Sequence, residues 1–181
     1  SAGGVVGNIL PRFRIPAAAL RRDIRTIESM GVDFRFEAAE RFSIQTLRRE
    51  GFKYIFIAIG APVSRDLELR GDNKNVYDAL FFLESLRKNK QFPGLGSKVA
   101  VIGGGNTAVD SARAAMRIKG VQEVTIIYRR TEKEIPADRE ELDNAVRDGV
   151  AFEYLLSPES FMKTGVLKCR RMRLGNQDSS G

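Results

Sequence analysis

The sequence predicts an α/β fold with a mostly parallel sheet flanked by helices, on three observations. Segments of strand period and helix period alternate along the chain. The run Tyr54–Ile59 is almost continuously apolar and is closed by Gly60, which reads as a strand buried on both faces. A glycine-rich turn, Gly103–Gly105, lies between an apolar strand and a helix with an apolar stripe. Parallel strands need crossover connections, and the alternation supplies them.

The elements follow in order. After Pro11 and Pro16, the spacing of Leu20, Ile24, Ile27 and Met30 predicts a helix over Ala17 to Met30, stopped at Gly31. Val32 to Glu37 alternates like a strand. Ser43 is placed to cap a short helix through Leu47 that ends at Gly51. Beyond Tyr54–Ile59 and a polar loop at Gly71-Asp72-Asn73, Asn75 is read as the cap of a helix with the stripe Val76, Leu80, Leu83 and Leu86. Gln91 to Ser97 has linker composition. Then come a strand over Lys98 to Ile102, a helix over Asn106 to Ile118 and a strand over Val124 to Tyr128. Asp138 and Glu141 resemble a capping box for a helix ending at Gly149, with further strands at Val150 to Leu155 and Val166 to Arg173.

Composition narrows the chemistry. With 43% hydrophobic and 29% charged residues among 181, the chain folds around a core. No apolar run approaches the ~20 residues of a membrane helix, so no membrane insertion and a cytoplasmic location are expected. The chain has no histidine and one cysteine, Cys169. That removes the usual general base, the commonest zinc ligand and any disulfide or iron–sulfur site made from these residues alone. No catalytic side chain and no metal site are expected: a segment of this kind serves catalysis by positioning a cofactor. The net charge of +7 fits an anionic partner without choosing one. Neither Ser1 nor Gly181 reads as a natural terminus, so the chain is expected to be an internal piece of a longer protein.

The turn itself is Gly103-Gly104-Gly105-Asn106-Thr107-Ala108, a Gly-x-Gly-x-x-Ala pattern between strand and helix. Gly103 permits the sharp exit from the strand. Gly105 leaves room for a pyrophosphate to reach the backbone, and Ala108 lets the helix lie close to the sheet. The first-turn amides and the positive end of the helix dipole then face the phosphates. This reads as the phosphate turn of a Rossmann-like dinucleotide-binding unit; the alternative is a Rossmann-like unit that kept its turn and binds nothing.

The next strand separates the two nicotinamide cofactors. A site that prefers NAD ends this strand with a carboxylate on the ribose 2′-hydroxyl. Here it ends Tyr128-Arg129-Arg130, and guanidinium groups suit a 2′-phosphate. NADPH is the expected cofactor.

Several segments together resemble the small subunit of glutamate synthase and its relatives, which include the flavin-containing part of dihydropyrimidine dehydrogenase and the selenate reductase-like subunits. They are Ala2–Val6 with Pro11-Arg12-Phe13-Arg14-Ile15-Pro16, then Phe56–Ala61, Gly103–Asp110, Tyr128-Arg129-Arg130 and Glu134-Ile135-Pro136-Ala137. The resemblance implies an FAD/NAD(P)-binding oxidoreductase in which NADPH delivers hydride to FAD and electrons pass on to an iron–sulfur or partner acceptor. It implies that Gly103, Gly104, Gly105, Asn106 and Thr107 meet the NADPH phosphates and Arg129 and Arg130 its 2′-phosphate. Gly60 and Ala61 would approach FAD, with Arg14, Ile15 and Pro16 near the flavin ring. The family's FAD-binding Gly-x-Gly-x-x-Gly, its cysteine-rich segment and its last flavin strand have no counterpart here. Residues 1–75 are therefore expected to be a partial FAD domain, and residues 76–181 an NADPH domain with its last strand truncated. Alone, the piece is expected to be inactive and to hold FAD poorly.

The rival function is a non-catalytic basic module that binds a dinucleotide or nucleic acid. Its only support is charge; the arginines are spread along the chain without interleaved aromatics, so no nucleic-acid partner is expected. Glu140, Glu141 and Asp143, beside Arg139 and Arg147, read as a solvated helix face; Arg21, Arg22, Arg48 and Arg49 read as helix surface. Phe81 and Phe82 read as core, and Cys169 as a buried structural thiol.

Overall fold

The computed structural model of the chain describes residues 2–36, 43–60, 67–72, 74–88 and 94–175. In chain order the elements are α1 (Gly4–Asn8), α2 (Ala17–Ser29), α3 (Ile44–Arg49), β1 (Arg70–Gly71), α4 (Ala79–Arg87), β2 (Lys98–Ile102) and α5 (Asn106–Met116). They continue with β3 (Glu123–Tyr128), a 3₁₀ turn at Glu132–Glu134, α6 (Arg139–Arg147), β4 (Ala151–Tyr154), β5 (Leu156–Phe161) and β6 (Leu167–Arg171).

The centre is a parallel sheet in the order β2-β3-β4, with α5 and α6 as its crossovers. Val101 lies beside Ile126, and Ile126 beside Phe152. The apolar stripe of α5, Val109, Ala112 and Ala115, is sealed against Val124 and Ile126 below, with Phe82 and Leu83 of α4 and Leu142 and Ala145 of α6 in the same cluster. Ile126 is wholly buried, a burial that stabilises by roughly 1.5–3 kcal/mol. Small residues dominate α5, so helix and sheet approach closely. The second sheet, β1-β5-β6, pairs β1 with β5 in parallel and β5 with β6 antiparallel. The chain passes from one sheet to the other at Leu155, which adopts a left-handed φ of 56°. An L side chain adopts that region only where its surroundings impose it. Two hydrogen bonds hold the residue: its N–H donates to Arg130 O, and its carbonyl accepts from the Met172 N–H.

α2 runs as the spacing predicts, with Gly31 at φ 87° after its end, and Ser43 caps α3 by accepting from the Thr46 N–H. Arg21, Arg22, Arg48 and Arg49 are exposed as expected. Five expectations need correction. Tyr54–Ile59 is not a strand: no described strand pairs with it, and Tyr54 and Phe56 are 94% and 93% exposed. A ladder needs a neighbour, and apolar character alone does not provide one. The described part of the second expected strand, Val32–Phe36, is likewise irregular, with Phe34 and Phe36 stacked on each other. Asp78 rather than Asn75 caps α4, accepting from the Phe81 N–H, because the helix begins at Ala79. Phe81 then faces outward while Phe82 is buried. Cys169 is half-buried on β6 rather than enclosed. Glu37, Asn73 and 91–93 of the expected linker lie outside the described residues, as do both chain ends.

Candidate dinucleotide site

At the C-terminal edge of β2 the chain turns at Gly103, whose φ of +128° is strained for any residue with a side chain. The Gly103 N–H donates to Ile127 O at 3.0 Å, fixing the turn to β3. A Cβ on Gly104 would stand 2.7 Å from Tyr128 Cε2 and 2.8 Å from Ile135 Cγ1. The middle glycine is therefore required by the packing of Tyr128 and Ile135 over it. Gly105 differs: nothing stands within 4 Å of its Cβ position, and it is the N-cap of α5 with no side chain in the way. Ala108 is buried, and a Cβ on Gly103 would come 3.6 Å from its methyl, the close helix–strand contact expected of this position. In the first turn of α5 the Ala108 N–H already donates to Gly105 O at 2.9 Å, while the Asn106 and Thr107 amides have no acceptor one turn back and remain for a ligand.

Arg129 and Arg130 are both exposed at the tip of β3. Among the described residues neither makes an ion pair. The Arg130 backbone is held by the bond from Leu155. The following loop is also fixed. The Tyr128 hydroxyl donates to Glu134 O at 2.7 Å, and the Thr131 N–H and hydroxyl both donate to Glu134 Oε2, at 3.0 and 2.9 Å. The Thr131 N–H, then its hydroxyl, hold the Glu134 carboxyl below its ordinary range against slight desolvation, with the charge of Arg130 adding to them. The turn and the arginine pair thus stand at the ends of neighbouring strands, with Tyr128 packed over Gly104 between them.

Asn106, the first residue of α5, has its side chain engaged. Its Nδ2 donates to Asp138 Oδ2, and its Oδ1 accepts the Asp138 N–H, both at 2.9 Å. The capping box expected of Asp138 is therefore absent: no α6 amide donates to its side chain. Thr107 is exposed on the first turn of α5, where its hydroxyl makes no bond among the described residues. Gly60, at φ +73°, ends the uncovered apolar run; no hydrogen bond among the described residues joins it to the Gly103 turn, and Ala61 lies outside the described residues.

A second constellation joins Phe13 and Arg14 to α5 and α6. Arg14 Nη1 lies 3.1 Å from Asp110 Oδ2, and Arg14 Nη2 lies 3.0 Å from Glu141 Oε1. Arg113 bridges Glu141 at 2.6 Å and Asp148 at 2.7 Å, and Arg117 reaches Asp148 at 2.9 Å. The Phe13 ring stacks under both Arg113 and Arg117. Burial pushes the Asp110 carboxyl up, and Arg14 opposes that shift without cancelling it. For Asp148 burial also pushes upward, but the hydrogen bonds of Arg113 and Arg117 prevail and leave it below its ordinary value. Glu141 is thus not on a solvated face: only Glu140 and Asp143 are. The signal was available in Asp110 and Arg113, charged residues inside the apolar stripe of α5. The same network places Arg14 against α5 and α6.

Among the described residues there is no group of ligands fit for a metal ion, and no helix long and apolar enough to cross a membrane. Residues 17–165 match the family model of the pyridine nucleotide-disulphide oxidoreductases. The chain belongs to that family. It is 45% identical over 181 residues to YgfK of Escherichia coli (strain K12), covering all of this chain and 17% of that protein. It is 38% identical over 191 residues to the NADPH-Fe(3+) oxidoreductase subunit beta of Geobacter sulfurreducens, covering 99% and 28%. The glutamate synthase [NADPH] small chain of Azospirillum brasilense is 30% identical over 197 residues, covering 99% and 40%, in keeping with the resemblance read from the motifs. The chain thus spans well under half the length of these relatives. The solved structure of Mycobacterium tuberculosis FprA in complex with NADPH superposes with a TM-score of 0.65 at 19% identity, over 98% of this chain and 56% of that one. That likeness establishes the fold, an α/β FAD/NAD(P)-binding type with parallel strands between helices.

Proposed function

We propose that this chain is the NADPH-binding part of a flavin-dependent oxidoreductase, with residues 76–181 as the NADPH domain and residues 1–75 as part of an FAD domain. One observation carries the reading. The space over Gly105 is open where a pyrophosphate would lie, and the tip of the adjacent strand offers two guanidinium groups where an NAD site would place a carboxylate. Gly103, Gly104, Gly105, Asn106 and Thr107 would hold the diphosphate through backbone amides, and Arg129 and Arg130 the 2′-phosphate. NADPH supplies a hydride. Hydride transfer between two bound cofactors requires alignment of their rings and no side-chain acid, which accords with a chain lacking histidine. Gly60 and Ala61 would approach FAD. The family's FAD-binding Gly-x-Gly-x-x-Gly has no counterpart in this sequence, so the flavin site would be completed by further chain, and the piece alone would be inactive.

The names of the relatives, a subunit beta and a small chain, support an electron-accepting partner subunit or domain. A cytoplasmic location fits the same reading. The nucleic-acid alternative is less favoured, because Arg14, Arg113 and Arg117 are committed to internal ion pairs rather than to a basic face.

Calorimetry of the chain with NADPH and NADH tests the proposal. A charge-assisted hydrogen bond contributes on the order of 1.5–3 kcal/mol, so a double substitution, Arg129→Ala with Arg130→Ala, lowers NADPH affinity by at least about tenfold. NADH affinity changes little. Equal losses for both nucleotides overturn the assignment of the arginine pair.

A further inference from the structure

Asp138 stands at the N-cap of α6 with an extended backbone, yet its carboxylate caps nothing. A capping Asp contributes about 1 kcal/mol to helix stability, so this placement forgoes a local gain. The carboxylate is turned instead to Asn106 on α5, and the two residues exchange hydrogen bonds in both directions at 2.9 Å. One residue earlier, the Ala137 N–H donates to Gly104 O at 3.1 Å. Consecutive residues at the start of α6 are therefore fastened to the phosphate turn.

The exchange also fixes which end of the Asn106 amide is available. An asparagine side chain carries a carbonyl acceptor and an NH₂ donor, and a freely rotating amide can present either. Here the Asp138 N–H can only donate and its carboxylate can only accept. The pair admits a single amide orientation, in which the Oδ1 is occupied and one Nδ2 hydrogen is left over. A phosphate oxygen only accepts, so this orientation matches a diphosphate and the flipped one repels it.

Resting on the NADPH reading, we propose that Asp138 is a positioning residue: it holds the Asn106 amide as a donor toward the diphosphate, the part of the ligand common to NADPH and NADH. Asp138 acts through Asn106 and need not touch the nucleotide.

Calorimetry of the wild-type chain, Asp138→Ala and Asp138→Asn with each nucleotide provides the test. Asp138→Ala weakens NADPH and NADH by the same factor, about tenfold for a net hydrogen bond to a charged group, so the preference between them is unchanged. Asp138→Asn keeps a carbonyl acceptor for Asn106 Nδ2 and restores most of the affinity. In the amide NMR spectrum, the hydrogen-bonded Asn106 Nδ2 proton of the wild type loses its protection in Asp138→Ala and regains it in Asp138→Asn. Near-UV circular dichroism identifies a variant that has not folded, and Asp138→Asn then decides alone through its retained affinity and protection. Wild-type affinity in Asp138→Ala, a loss confined to NADPH, or no rescue by Asp138→Asn overturns the inference while the NADPH reading stands. A wild-type chain that binds neither nucleotide overturns both.

Discussion

Replacing Arg14 by Met removes the cation that faces the most buried carboxylate of the ion network. Asp110 is 5% exposed at its side chain, and among the described residues Arg14 is the one group that hydrogen-bonds it, at 3.1 and 3.3 Å. Glu141 keeps Arg113 at 2.6 Å, so the loss falls on Asp110. Removing one partner of a buried pair costs about 3–5 kcal/mol. Arg14 itself is 22% exposed, which admits some water and places the expected loss near the lower end. With a urea slope of ~2 kcal/mol/M, a loss of ~3 kcal/mol lowers the unfolding midpoint by ~1.5 M. The pH dependence has a definite sign. Burial already raises the Asp110 carboxyl, and without Arg14 it rises further. The native state then holds a proton that the unfolded chain has released, so stability falls as pH rises through that window. The deficit of Arg14→Met therefore narrows on acidification, and adding Asp110→Asn recovers a large part of it at neutral pH. A deficit below ~0.5 kcal/mol, the size of an ordinary surface change, refutes the reasoning. So does a deficit that ignores both pH and Asp110→Asn.

Adjacent glycines should respond in opposite ways. Gly104→Ala forces a methyl against Tyr128 and Ile135 and lowers stability by about 1–3 kcal/mol, as measured by urea unfolding. Gly105→Ala meets open space at φ −84° and changes stability by less than about 0.5 kcal/mol, while calorimetry shows weaker binding of NADPH and NADH alike. Asp148→Asn lowers stability at neutral pH by removing the negative charge that Arg113 and Arg117 share. Because the wild-type carboxyl lies below its ordinary value, that contribution is full above the usual carboxylate range, shrinks as pH falls through it, and is gone below the depressed value. Unfolding midpoints across acid pH record the difference between variant and wild type closing there.

The β2–β4 half of the fold was legible because its signals are local. β2, the Gly103 turn, α5 and β3 each declare themselves by period or by a residue that only one conformation suits. Gly105 and Ala108 also have the surroundings their types imply, one open and one closely packed. What local pattern does not encode is the neighbour. Tyr54–Ile59 has the composition of a buried strand, but burial depends on what lies alongside. β5 escaped notice because Leu156–Phe161 contains Pro158 and a register irregularity between Pro158 and Ser160, so it lacks alternation. Asp138 and Glu141 fit a capping box by spacing, yet each is drawn away by a partner distant in sequence, Asn106 and Arg14 respectively. Local rules predicted the position of the helix and missed the task of its first residues.

The central claim is that the backbone at Gly103–Thr107 grips a diphosphate while the guanidinium pair at Arg129–Arg130 selects the extra phosphate. A crystal structure of the chain with NADP⁺ tests it most directly. Diphosphate oxygens are expected over Gly105 and the Asn106 and Thr107 amides, with the 2′-phosphate within hydrogen-bond distance of Arg129 or Arg130. A nucleotide bound elsewhere, or one seated at the turn with both arginines directed into solvent, would contradict it.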